Sequence, residues 1–187
     1  MLEKLLSLDV KLFVYLNGLG SESYDGLWLF ITKQTHWTPL FLILLYIIYK
    51  KIGGKKTLQV LLFIAVLVLI TDQCTNLFKY GFQRLRPCNN PDIHSIIRIV
   101  KSSKSFSFFS GHAANSMAVA MFVYHLLKPY FKYAFLLFLW PLIFAYSRIY
   151  LGLHYPIDIL CGYLFGTMTG LIIYRIYQYT QIKYFPL

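Results

Sequence analysis

Acidic residues are scarce in this chain. Seven Asp+Glu stand against 18 Lys+Arg, and charged residues make up only 13% of the 187 positions. Soluble domains carry about 25% charge, so the composition excludes an ordinary soluble enzyme. It also excludes a disordered chain, which needs few apolar residues. Cysteine is scarce as well. Cys74, Cys88 and Cys161 are an odd number without metal-ligand spacing. That excludes a disulfide framework and marks them as small apolar fillers. Internal repeats and low-complexity segments are missing, so 1–187 reads as one domain. The N-terminus lacks the marks of a cleavable signal: Glu3, Lys4, Asp9 and Lys11 interrupt any apolar run, and no small-residue cleavage site follows.

What is abundant is apolar. Hydrophobic residues make up 58% of the chain, aromatics 19%, and the mean hydropathy is +0.57. A bilayer-spanning helix takes about 20 residues, which leaves room for five or six. Residues 4–17 mix Leu5, Leu6, Leu8, Phe13 and Leu16 with charged positions, a pattern that predicts a helix lying on the membrane surface (the interfacial segment 1–20). Residues 17–26 form a turn-rich break. Spans are predicted within Leu27–Tyr49, interrupted at Lys33, Gln34 and His36, and over Leu58–Phe78, His112–Leu127, Tyr133–Arg148 and Pro156–Tyr177. These runs are too long for barrel strands. The fold class is therefore all-α: a polytopic membrane helix bundle of five transmembrane helices plus an N-terminal amphipathic helix, with six spans as the alternative. Residues 79–111 are the one long loop outside the membrane.

The net charge of +11 would suggest nucleic acid in a soluble protein. In so apolar a chain it points to topology and to anionic lipids, and no nucleic-acid partner is expected. Five spans put the N-terminus, the 79–111 loop and the 148–155 turn on one side, with ten Lys+Arg and all seven acids. The other side holds eight Lys+Arg and no acid, and its turns KKIGGKK and KPYFK are the densest in cations. Lys and Arg in short loops mark the cytoplasmic face. The C-terminus is therefore expected in the cytoplasm, and the 79–111 loop outside.

Three segments converge on that outer face. Lys79, Arg86 and Arg148 supply three cations, and arginine grips phosphate oxygens bidentately while lysine acts as a point charge. Ser110 precedes Gly111 and an apolar helix, so it is a candidate N-cap, and free N–H groups at a helix start favour an anion. His154 and Asp158 are four apart and share a helix face. An Asp bonded to one imidazole nitrogen leaves the other as a nucleophile. His112, on another span, could protonate a leaving alkoxide. The set is complete for phosphoryl transfer without a metal or other cofactor.

Other polar residues have plainer readings. His36, His94 and His125 read as structural or solvated, and Arg84, Arg98, Lys101 and Lys104 as side chains that snorkel to headgroups. Asp72, near the end of the second span, reads as an acid buried more deeply than an idle one, with a basic residue of the site as its possible partner.

The motifs resemble those of the type-2 phosphatidic acid phosphatase family, integral membrane lipid-phosphate phosphatases. The family's first motif, Lys, six residues and Arg-Pro, matches Lys79 to Arg86-Pro87. Its Pro-Ser-Gly-His matches Phe109-Ser110-Gly111-His112, with Phe in place of Pro. Its Ser-Arg, five residues, His, three residues, Asp matches Ser147-Arg148, His154 and Asp158. The resemblance implies that His154 attacks phosphorus and forms a phosphohistidine, that Asp158 orients it, and that His112 serves as acid and then base. Lys79, Arg86, Ser110, Gly111 and Arg148 are then the phosphate ligands, and no metal is involved. The expected partner is an anionic lipid phosphate in the bilayer, with undecaprenyl diphosphate or a lipid A phosphate foremost by similarity to small bacterial members. Transfer to another lipid or sugar acceptor instead of water is the alternative. The sequence leaves monoester against diphosphate, and the oligomeric state, open.

Overall fold

Glycine and proline set the helix boundaries. In a computed structural model, whose described residues are 1–184, the chain runs through seven α-helices. They are α1 (Leu2–Gly18), α2 (Asp25–Ile31), α3 (Thr38–Ile52), α4 (Gly54–Phe82), α5 (Gly111–Leu127), α6 (Leu139–Tyr150) and α7 (Pro156–Tyr184). No strand occurs among the described residues. The α3–α4 turn is made by Gly53 at φ +79°, a conformation that favours glycine. Pro156 opens α7, where its missing N–H costs nothing. A short 3-10 turn, Ala134–Phe138, leads into α6. The C-terminal end, expected on the cytoplasmic side, lies outside the described residues.

The α5–α7 contact is the tightest in the bundle. Gly162, Gly166 and Gly170, one turn apart, lie so close to α5 that an added Cβ would stand 2.7 Å from Ser110 O, 2.3 Å from Ala114 O and 2.6 Å from Ala118 O. Small residues at this spacing let helix backbones meet in a bilayer. Val60, Leu67, Phe122, Tyr174 and Tyr177 form the core at the end of the bundle away from the 83–110 loop. The outward faces are apolar too: Leu58, Leu62 and Leu69 of α4 and Leu160, Leu164 and Met168 of α7 are exposed. Soluble proteins do not expose such continuous surface. Helices α4 and α7 are each long and apolar enough to cross a membrane, and the chain is an integral membrane protein.

Several expectations need correction. The long loop is shorter than 79–111: α4 continues through Lys79 to Phe82, and the connection to α5 is 83–110. The Leu27–Tyr49 stretch breaks into α2 and α3 at residues 32–37. Helix α1 does not merely rest on a surface. Asp9, Phe13 and Asn17 are buried, and the Asn17 amide donates to the carbonyls of Arg98, Ile149 and Tyr150 while its oxygen accepts from the Arg98 N–H. Arg98 does not snorkel, because its guanidinium donates to Asp25 at 2.9 Å. Asp72 is exposed on α4, not deeply buried, because it lines the cavity that opens between α3, α4 and α5. Lys101, Lys104 and His94 are exposed, and His36 stacks on Phe30 at 3.9 Å.

Candidate active site

The N-terminal ends of α5 and α7 face each other. The Ser110 N–H donates to the backbone carbonyl of Asp158 at 3.0 Å. Ser110 is the N-cap of α5, its hydroxyl accepting from the Ala113 N–H. At the Phe109 position, where the family motif has Pro, the ring is buried against Phe78 and Phe165. Aromatic packing thus anchors the turn into α5. Asp158 stands in the first turn of α7, and its Oδ2 accepts the Tyr155 N–H at 2.9 Å. That is the acidic half of a capping box, favourable at the positive end of a helix.

His154 sits in the α6–α7 turn, fully enclosed at 1% exposure. Its backbone is held by Arg148, whose carbonyl accepts from the N–H groups of Leu153 and His154. The ring lies between two charges. Arg86 Nη1 is 3.0 Å from Nε2, and Asp158 Oδ2 is 3.5 Å from Nδ1. Arginine only donates, so Nε2 accepts and the ring proton is on Nδ1, facing the carboxylate. The 3.5 Å contact is electrostatic and too long for a well-formed hydrogen bond, and Nδ1 has no hydrogen-bond partner among the described residues. Burial pushes the imidazole down, to about 3, against the upward pull of Asp158, with Arg86 and Arg148 adding to the fall. The ring is therefore neutral at ordinary pH.

Two cations, Arg86 and Arg148, act on this ring. Arg86 is fixed by Ser105, through its carbonyl to Nε and its hydroxyl to Nη2, both at 2.8 Å. Arg148 Nη1 donates to Thr32 at 2.6 Å, but its buried Nε has no partner. Lys79 reaches over the start of α5, where a Cβ on Gly111 would lie 3.6 Å from Nζ. His112 follows in the first turn of α5, its ring against Phe144. All eight residues singled out in the sequence thus gather at one end of the bundle. From Lys79, Gly111 and His112 a cavity of about 450 Å³ runs down between α3, α4 and α5, its floor lined by Leu44, Ile64, Val68 and Val123.

Sequence reasoning missed the support beneath Asp158. Arg84 Nη1 donates to Asp158 Oδ1 and Nη2 to Asp9 Oδ2, each at 2.7 Å, and Ser107 Oγ bonds Asp158 Oδ2. Asp9 Oδ1 in turn accepts the Ile157 N–H at 2.9 Å. Arg84 is therefore not a snorkelling side chain. Burial works against its charge, but Asp158 and Asp9 together hold its guanidinium above the ordinary value. One signal was available: Asp9, Phe13 and Asn17 recur at helical spacing, so Asp9 shares the buried face of α1.

The PAP2 superfamily model matches residues 56–182. The chain belongs to the PAP2 superfamily. A lipid A 4'-phosphatase of Bacteroides thetaiotaomicron is 34% identical over 181 residues, 94% of this chain and 80% of that protein. A lipid A 4'-phosphatase of Porphyromonas gingivalis is 28% identical, covering 98% and 78%. An undecaprenyl-diphosphatase of Sulfolobus acidocaldarius is 26% identical, covering 97% and 84%. The fold matches the crystal structure of a transmembrane PAP2-type phosphatidylglycerolphosphate phosphatase from Bacillus subtilis with a TM-score of 0.74 at 18% identity, over 97% of this chain and 89% of that one. Similar to named phosphatases along nearly its whole length, this PAP2 member is a phosphoric ester hydrolase.

Proposed function

We propose that the protein removes phosphate from a membrane lipid through a phosphohistidine on His154, without a metal. The observation that carries this reading is the His154 ring, with a lone pair on Nε2 against Arg86 and a proton on Nδ1 beside Asp158. A substrate phosphoryl oxygen takes over the Arg86 Nη1 donor that rests on Nε2, which frees the lone pair. Nε2 then bonds to phosphorus as the phosphorus–oxygen bond to the lipid breaks, and His112 protonates the departing oxygen. In the second step His112 takes a proton from water, the oxygen attacks phosphorus, and the nitrogen–phosphorus bond breaks. Asp158 stabilises the positive ring between the steps. Arg148, Lys79, Arg86, the Ser110 hydroxyl and the Gly111 and His112 amides hold the phosphoryl oxygens, where fixed donors act most strongly on developing charge.

Five helices, α3 to α7, cross the bilayer in this reading, with α1 and α2 on the outer surface. The site faces the periplasm or cell exterior, and the cation-rich turns face the cytoplasm. The apolar cavity takes the lipid chain. Relatives named for lipid A and for undecaprenyl diphosphate make those two the leading substrates.

Phosphate release by the detergent-purified protein tests the chemistry. The wild type releases phosphate in EDTA. His154→Ala folds but does not release it, and no ³²P-labelled protein can be trapped. Full turnover by His154→Ala would refute the mechanism, and loss in EDTA reversed by a divalent ion would refute metal independence. An impermeant thiol reagent labels a cysteine placed at Lys101 from outside intact cells. Labelling only after lysis would reverse the orientation.

A further inference from the structure

The cavity below the phosphate site is not apolar throughout. Along α4 its wall runs Val60, Ile64, Val68 and then Asp72, with Lys79 two turns further on. At 1.5 Å per residue, Asp72 stands about 10 Å below Lys79 along the helix. Across the cavity, Asn115 lies one turn below His112 on α5. Its Oδ1 is buried and has no hydrogen-bond partner among the described residues. The Asp72 carboxylate receives one side-chain bond, a long 3.4 Å contact from Asn76. Of the other polar residues here, Ser116 spends its hydroxyl on the Ala113 carbonyl, Gln34 stands at the exposed mouth, and the Trp140 indole N–H on α6 is a buried donor without an acceptor among the described residues. An ionised side chain within a membrane helix is costly and calls for a partner, as does a buried unpaired carbonyl.

Each presents an unmatched acceptor: the Asp72 carboxylate can only accept, and the buried oxygen of the Asn115 amide has no donor. Whatever occupies this level is favoured if it brings O–H or N–H donors. We infer that Asp72 and Asn115 form a headgroup site selecting lipid phosphates that carry hydroxyl or amide N–H donors next to the phosphate, as a phosphorylated amino-sugar lipid does. A polyprenyl diphosphate offers only hydrocarbon at that depth. A diacylglycerol phosphate offers only ester oxygens, which would leave the two acceptors unmatched. Lys79 stands between the carboxylate and the phosphate, so the acid does not face the substrate's own charge directly.

This inference rests on the lipid-phosphatase reading and names the class of lipid. Its test compares kcat/KM for lipid A with that for phosphatidic acid and for undecaprenyl diphosphate, in the wild type, Asp72→Leu and Asn115→Leu. The wild type prefers lipid A. Each variant lowers the lipid A to phosphatidic acid ratio by at least about tenfold, mostly through KM, as when a hydrogen-bonding site loses its polar groups. An unchanged ratio in both variants overturns the inference, and so does a wild type that prefers either donor-free lipid. Loss of turnover on all three lipids in both variants also overturns it, by placing the side chains in the fold or in the chemistry. A wild type that hydrolyses none of the three defeats the lipid-phosphatase reading itself.

Discussion

Arg84 donates to Asp158 Oδ1 at 2.7 Å, on the side of the carboxylate away from the His154 ring. Ser107 Oγ and the Tyr155 N–H bind the other oxygen, so the carboxylate cannot rotate freely. The orientation of His154 is thus set by residues that are not among the fixed positions of the three sequence motifs. Arg84→Ala should lower kcat about tenfold to a hundredfold, the scale of a small misplacement of reacting groups. KM should change little, since Arg84 is turned from the phosphate side. Arg84→Lys should recover part of kcat, because one ammonium can still reach Asp158. Steady-state kinetics on one lipid phosphate decides this, and an unchanged kcat in Arg84→Ala would remove the positioning role.

The same guanidinium ties α1 to the site through Asp9, whose side chain is fully buried. Asp9→Ala leaves Arg84 half-paired and the Ile157 N–H unbonded, at a cost of about 3 kcal/mol in stability. Because the two residues act as one unit, the double variant with Arg84→Ala should be only slightly less stable than the worse single one. Unfolding midpoints in detergent give the coupling, and strict additivity would contradict it.

The α5–α7 glycines separate packing from chemistry. Gly162→Ala and Gly170→Ala each force a Cβ to within 3 Å of an α5 carbonyl, and each should cost about 1–3 kcal/mol. Only Gly162→Ala pushes on Ser110, the N-cap beside the proposed phosphate site. Its kcat should fall much further than that of Gly170→Ala when the two are assayed at equal folded fraction.

Stability should also depend on pH through His154. Its pKa lies at about 3 when folded against an ordinary 6.5, so between these values the unfolded chain binds the extra proton and stability falls as pH falls. Going from pH 7.5 to pH 5 should cost about 2 kcal/mol. His154→Gln should flatten that part of the profile. An equal slope in the variant would assign the dependence to other groups.

The sequence by itself determined the family and the solvent. Three motifs carried the residues proposed as nucleophile, acid and cations. The apolar runs located the helices, because both signals are local: a motif is a spacing, and a membrane helix satisfies its own backbone. Only the tertiary structure decided what supports the site. Asp9 and Arg84 are 75 residues apart, and each taken alone looks like a surface charge. Thr32 on Arg148 and Ser105 on Arg86 are likewise pairings across distant segments. The depth of Asp72 in the sequence did not reveal which face of α4 it occupies. That face depends on how α3, α4 and α5 splay around the cavity, and no periodicity within one helix records the position of its neighbours.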